Sequence, residues 1–199
     1  MIKLENDVLS TFFAALIGSF MGGLYTLEGV RESHRLEIIR NQSEEENLIA
    51  NFLQMIHTEI NVLWDQYNEK MGKTLETLPN NSPLQLYYPI SQDYFSVYNN
   101  NTMILGKIEN ERLRTLITTI YSMAKGLVDG FKMNNELLNK FEQTIVFNQQ
   151  TNNSFMQRMQ QEQLNNLAQY ATHLKESHKE LDQQIKSFNI QYQETIKIH

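Results

Sequence analysis

LNNLAQYATHLKESHKELDQQIKSFNIQY, residues 164–192, carries the most regular pattern in the chain. Leu164, Leu167, Ala171, Leu174, His178, Leu181, Ile185, Phe188 and Tyr192 alternate by three and four residues. That spacing puts one apolar stripe along an α-helix and lets it seat against other helices. No Gly or Pro follows Gly130, so nothing in the sequence interrupts the helix. His178 falls on the stripe, where a partly buried polar residue sets register. The sharper alternative is a pH-dependent interface.

Working back toward the N-terminus, Leu138, Phe141 and Ile145 continue a similar phase, and Asn148 and Asn152 break it. A turn is expected near Gln149 to Ser154. Before that, Asn110 reads as an N-cap for a helix whose apolar face includes Leu113, Leu116, Ile117, Ile120, Tyr121, Ala124, Leu127 and Val128. A face that wide needs cover on two sides. Gly126 and Gly130 mark either a close approach or a break.

Residues 73–107 read differently. Pro79, Pro83 and Pro89, with Asn80, Asn81 and Ser82, remove donors and favour turns. A short helix capped by Ser91 and ended by Asn99, Asn100 and Asn101 is expected inside this excursion. Its rings, Tyr87, Tyr88, Tyr94, Phe95 and Tyr98, either fix the excursion to the helices or form a face for a partner or ligand.

Residues 31–72 keep a helical period through Leu36, Ile39, Ile49, Leu53, Ile56, Ile60, Leu63 and Tyr67. The preceding helix continues into this stretch either as one long rod or with a bend near Gly29. The polar segment between Ile39 and Ile49 predicts a solvated face or a second bend, with Ser43 and Glu46 spaced like a capping box.

Ahead of it lies VLSTFFAALIGSFMGGLYTL, Val8 to Leu27, with no charge between Asp7 and Glu28. As a helix it reaches about 30 Å, the thickness of a hydrocarbon core. The reading is one membrane-spanning helix. A cleaved signal would need a basic start and a small-residue cleavage pattern, but Glu5 and Asp7 follow Lys3. Ala14, Gly18 and Gly22 recur every four residues, as do Ala15, Ser19 and Gly23, which lets a second helix approach closely and predicts self-association. If the assembly encloses water, Ser10, Thr11, Ser19 and Thr26 are available to line it. Arg31, Arg35 and Arg40 flank the run, so the positive-inside tendency places the N-terminus outside and the long C-terminal body in the cytosol.

The 199 residues fit one domain plus an extension. The expected segments are an anchor over 1–30, a long helix over 31–72, the aromatic excursion over 73–107, a helical core over 108–148 and the C-terminal heptad helix over 149–199. A net charge of -6 argues against general nucleic-acid binding, which needs clustered Lys and Arg. No cysteine is present, which excludes disulfides, thiolate metal sites and a cysteine nucleophile.

Catalytic patterns are thin. His34, His57, His173, His178 and His199 form neither H-E-x-x-H nor an i, i+4 pair. Phosphate loops, serine elbows and the R-x4-6-H pair of helical HEPN ribonucleases are missing. The expectation is therefore no enzyme, no metal and no cofactor. A cyclic-nucleotide sensor stacking a base on the excursion ranks last, because its nearby cations are few (Lys107, Arg112, Arg114).

The uncharged N-terminal run, the helical remainder, and the phrases PISQDYFSVYNNN (89–101) and LGKIENERLRTLITTIYSMAKGL (105–127) resemble small bacterial membrane proteins of anti-phage loci. The nearest resemblance is to the accessory membrane proteins that accompany Cas13b CRISPR systems. That likeness implies a helical homo-oligomer forming a membrane pore. The expected fold is all-α, an N-terminal transmembrane helix continuing into a cytosolic helical bundle with a long coiled-coil-like C-terminal helix. The expected partners are the bilayer, further copies of the chain and, for a scaffold reading, a cytosolic protein recruited through the heptad seam.

Overall fold

The computed structural model describes residues 2–90, 94–151 and 154–197, with the side chains of 2–17, 24, 150 and 151 outside the description. Among the described residues every regular element is helical and no strand occurs. The elements are α1 (Ile2–Tyr67), a π turn (Asn68–Gly72), α2 (Lys73–Thr77), α3 (Ser96–Asn100), α4 (Thr102–Leu105), α5 (Glu111–Thr151) and α6 (Ser154–Ile196). The chain divides into two compact units, Met1–Leu48 and Ile49–His199, and α1 contributes to both.

In the first unit α1 is uninterrupted through Gly29 and through 41–47. Ser43 and Glu46 therefore lie inside the helix and do not cap one. The polar segment is a solvated helical face, because nothing in 41–47 breaks helix geometry. The described side chains from Gly18 to Leu48 are all exposed. Local contacts join His34 to Glu37 at 3.7 Å and Arg40 to Glu44 at 2.8 Å, and the Thr26 hydroxyl donates to the Gly22 carbonyl at 2.8 Å. Among the described residues no helix is long and apolar enough to cross a membrane. The side chains of 8–17, half of the uncharged run and including Ser10, Thr11, Ala14 and Ala15, lie outside the description.

In the second unit the remainder of α1, α5 and α6 surround the core. Asn148 of α5 reaches Gln160 of α6, Leu138 and Phe141 cluster with Leu167, and Gly130 faces Leu174, so α5 and α6 form an antiparallel hairpin. Along α1, His57 meets Tyr192, Asn61 meets Asn189 and Tyr67 meets His178, which makes α1 antiparallel to α6. The same helix runs parallel to α5, with Glu59 at Tyr121 and Tyr67 at Phe131. A parallel pair needs a connection that returns the length of the bundle, and 78–110 supplies it.

Local chemistry sets the ends of these elements. The helix persists through the π turn to Thr77, five residues into the stretch where the proline-rich excursion was expected to begin. It stops there because Leu78 precedes Pro79 and is pushed to extended geometry, φ -61° and ψ 125°. Asn81, at φ 59°, takes the left-handed position of the following turn, which asparagine tolerates. Asn110 caps α5, its side-chain oxygen accepting from the Leu113 N–H at 3.0 Å. Gly126 and Gly130 leave α5 unbroken. At Gly130 a Cβ would come within 2.8 Å of Leu174 Cδ2, so this glycine leaves room for the Leu174 side chain of α6.

Eight of the nine seam residues, Leu167, Ala171, Leu174, His178, Leu181, Ile185, Phe188 and Tyr192, are buried, and Leu164 is half-buried. The cover comes from α1, α2 and α5 of the same chain.

Candidate functional site

The second unit is notable for how α1 meets the hairpin: through rings and amides. Trp64 stacks on His178, with centroids 5.3 Å apart and planes 18° from parallel, and His57 stacks on Tyr192 at 4.1 Å and 15°. Asn61 and Asn189 exchange two amide hydrogen bonds of 3.2 and 2.9 Å.

His178, 2% exposed, has a partner for each nitrogen: the Tyr67 hydroxyl lies 3.1 Å from Nδ1 and Glu76 Oε1 lies 3.4 Å from Nε2. The geometry fits Tyr67 O–H donating to Nδ1 and Nε2–H donating to Glu76. Burial first, then the neighbouring Tyr88 and Glu76, push the Tyr67 phenol well above its ordinary range, so it remains a donor. Gly72 of the π turn makes room for this group, since a Cβ there would strike the Asn68 side chain and come within 3.1 Å of His178 Cε1.

Glu59 organises the opposite side. Its carboxylate accepts from the Tyr121 hydroxyl at 2.6 Å and from the backbone N–H groups of Val97 and Tyr98 at 2.8 and 3.3 Å. One acid on α1 thereby ties the excursion to α5. Burial raises the Tyr121 phenol, and the bond to Glu59 raises it further. Tyr98 stacks on the Tyr121 ring at 4.0 Å, and Lys125 Nζ lies 5.3 Å from the Tyr98 centroid while donating to Asn99 at 3.1 Å.

The returning excursion is held along α5 by asparagines. Asn135 accepts from the Tyr88 N–H at 3.1 Å and donates to its carbonyl at 2.9 Å, as a neighbouring strand would. Asn134 donates to the Leu84 carbonyl at 3.3 Å, and the Tyr87 hydroxyl reaches Asn139 and Glu142. Ser91, the expected cap of the short helix, lies outside the described residues. That helix is α3, and the acceptor at its start is Glu59.

Between α1, the excursion, α5 and α6 is a cavity of about 420 Å³. Aliphatic side chains including Ile60, Ile120, Leu181 and Ile185 form its depth, and rings such as Trp64, Tyr88 and Phe131 form its sides. Gln66 and Lys70, both exposed, mark its rim. A sealed apolar void of this size would cost roughly 10 kcal/mol at about 24 cal/mol per Å³. That rivals the whole stability of a domain, about 5–15 kcal/mol. The cavity is not such a void, because it opens at this rim. Apolar pockets of this volume suit small molecules.

No family model, no curated protein and no solved structure matches the chain.

Gly18, Ser19, Gly22, Gly23 and Thr26 lie exposed on α1, with open space where a Cβ would stand at the three glycines. The hydroxyl of Thr26 is bonded to its own helix. Arg31, Arg35 and Arg40 are exposed, and the bond to Glu44 raises the Arg40 guanidinium further. The structure brings the excursion's rings onto the bundle: Tyr88 lies 4.7 Å from Phe131, and Phe95 meets Tyr121 edge-on at 5.5 Å. The cation beside those rings is Lys125, which the sequence reading passed over, while Arg114 donates to the Ile108 carbonyl at 3.0 Å. Glu59 was also passed over. Its only signal was an acid between Ile56 and Ile60 on an apolar helical face.

Proposed function

We propose that the protein is a homo-oligomeric, single-pass inner-membrane protein that perturbs or perforates the membrane as an effector or accessory in bacterial anti-phage defence. The observation that carries the membrane part is at the head of α1. A 20-residue uncharged run, 8–27, overlaps a stretch, 18–48, in which Phe20, Tyr25, Val30 and Leu36 stay exposed. Apolar side chains left in water on a long helix favour lipid or another copy of that helix.

In this reading the run Val8 to Leu27 spans the bilayer, and the rows through Gly18 and Gly22 and through Ser19 and Gly23 seat neighbouring copies. Arg31 and Arg35 meet anionic headgroups on the cytosolic side. The defence assignment rests on the resemblance of the N-terminal run and of residues 89–127. A membrane-tethered scaffold is the alternative. Its recruiting face is the exposed stretch of α1, because the heptad seam is filled by the chain's own helices.

Reconstitution in liposomes separates the two. Dye leakage that Gly18→Leu with Gly22→Leu abolishes is the expected result. An oligomer that leaves vesicles sealed supports the scaffold, and a monomer without membrane affinity defeats both.

A further inference from the structure

We propose that the cavity of the second unit binds the hydrocarbon chain of a fatty-acid-like carboxylate, with the carboxylate at the rim beside Lys70. This is independent of whether the N-terminal run perturbs membranes.

The depth of the cavity decides the ligand class. Ile60, Ile120, Leu181 and Ile185 offer neither donor nor acceptor. Two of the tyrosines that line it, Tyr67 and Tyr121, have hydroxyls bonded to His178 and Glu59, side chains that do not line the cavity. A nucleobase pushed inward would give up its hydrogen bonds to water and gain none, a penalty of the kind that lets buried polar sites reject mismatched ligands. An alkyl chain gives up nothing.

Charge decides the end of the ligand. Among the described residues lining the cavity Lys70 is the only charged one, and none of them carries a carboxylate to repel an anion. Its ammonium forms no ion pair among the described residues. An amphiphile with one negative end and an apolar body matches that layout: the body leaves water and the head keeps both water and a cation.

The chain carries its own reporter, because Trp64, its single tryptophan, lines the cavity. The full chain, held in amphipol, is titrated with dodecanoate while Trp64 emission is followed. The expected result is a saturable shift at one equivalent. Lys70→Glu should weaken dodecanoate about tenfold or more, the scale of one charge-assisted contact, and leave dodecanol unchanged. Ala124→Phe, which fills the cavity from α5, should abolish both titrations with an unchanged helical melt. If that variant does not fold, Val128→Phe serves as the plug. The proposal is overturned by emission that drifts without saturating, by saturable binding that survives a folded plug, by equal dodecanoate affinity in Lys70→Glu, or by adenosine monophosphate saturating where dodecanoate does not.

Discussion

Helix α1 contains two stretches of similar chemistry and opposite fate. Phe20, Tyr25, Val30, Leu36 and Ile39 in the first unit are exposed, whereas Phe52, Leu53, Ile56 and Ile60 in the second are 6% exposed or less. Both carry large apolar groups on a helix without a break. The difference is cover: the second stretch lies against α5 and α6, and no described side chain of 18–48 is buried. An amphipathic period in a sequence thus states that a face can be buried, and tertiary partners determine whether it is. Truncation should expose the contrast most sharply. Ile56→Ala should lower stability by about 2–5 kcal/mol, as deletion from a filled core does. Leu36→Ala should change the stability of the detergent-held chain, measured by urea unfolding, by no more than about 0.5 kcal/mol. A loss at Leu36 comparable to that at Ile56 would mean that the first stretch is covered in solution, and would break the comparison.

Glu59 belongs to the covered stretch and tests how cover is fastened. Glu59→Ala removes the acceptor for the Tyr121 hydroxyl and for the N–H groups of Val97 and Tyr98. Leaving such donors unpaired should cost about 1–3 kcal/mol. Hydrogen exchange should quicken at Val97 and Tyr98, with little change along residues 18–48. Uniformly faster exchange throughout α1 would show instead that the excursion and the whole helix open together.

How much of this could be read in advance follows from the range of each interaction. The α6 stripe is a local signal, one helix with three- and four-residue steps, and the set those steps select includes every buried residue of α6. Asn110 and Pro79 act within a turn of their own positions, and they mark where α5 starts and where the helix after the π turn stops. Glu59, Asn61 and Asn135 act across 62, 128 and 47 residues of chain, and a single acid or amide has no period to announce it. The excursion's rings were visible as a cluster. That they would line a cavity was not, because its depth is made by Ile60, Ile120 and Ile185, residues that read as ordinary core. Of the two readings open for 41–47, a solvated face or a second bend, the structure has the solvated face. Polar composition says which side faces water, and helix geometry needs a breaker before it ends.

The weakest contrast between the two stretches should appear with pH. His57, on the covered side, stacks on Tyr192 and lies 6.0 Å from Phe188, and burial lowers its pKa from the ordinary 6.5. Below 6.5 the unfolded chain takes up a proton at this position more readily than the folded one, so stability rises with pH across that window. The contribution is complete above 6.5 and is lost as pH falls through the lowered value. Urea midpoints of the wild type and His57→Gln, compared at pH 7.5 and 5.5, isolate it from the carboxylates that titrate in both. The wild type should lose slightly more on acidification than the variant, since His57 keeps much of its contact with water. An equal loss in both would mean that the Tyr192 ring compensates for burial by favouring the imidazolium, as a ring face attracts a cation.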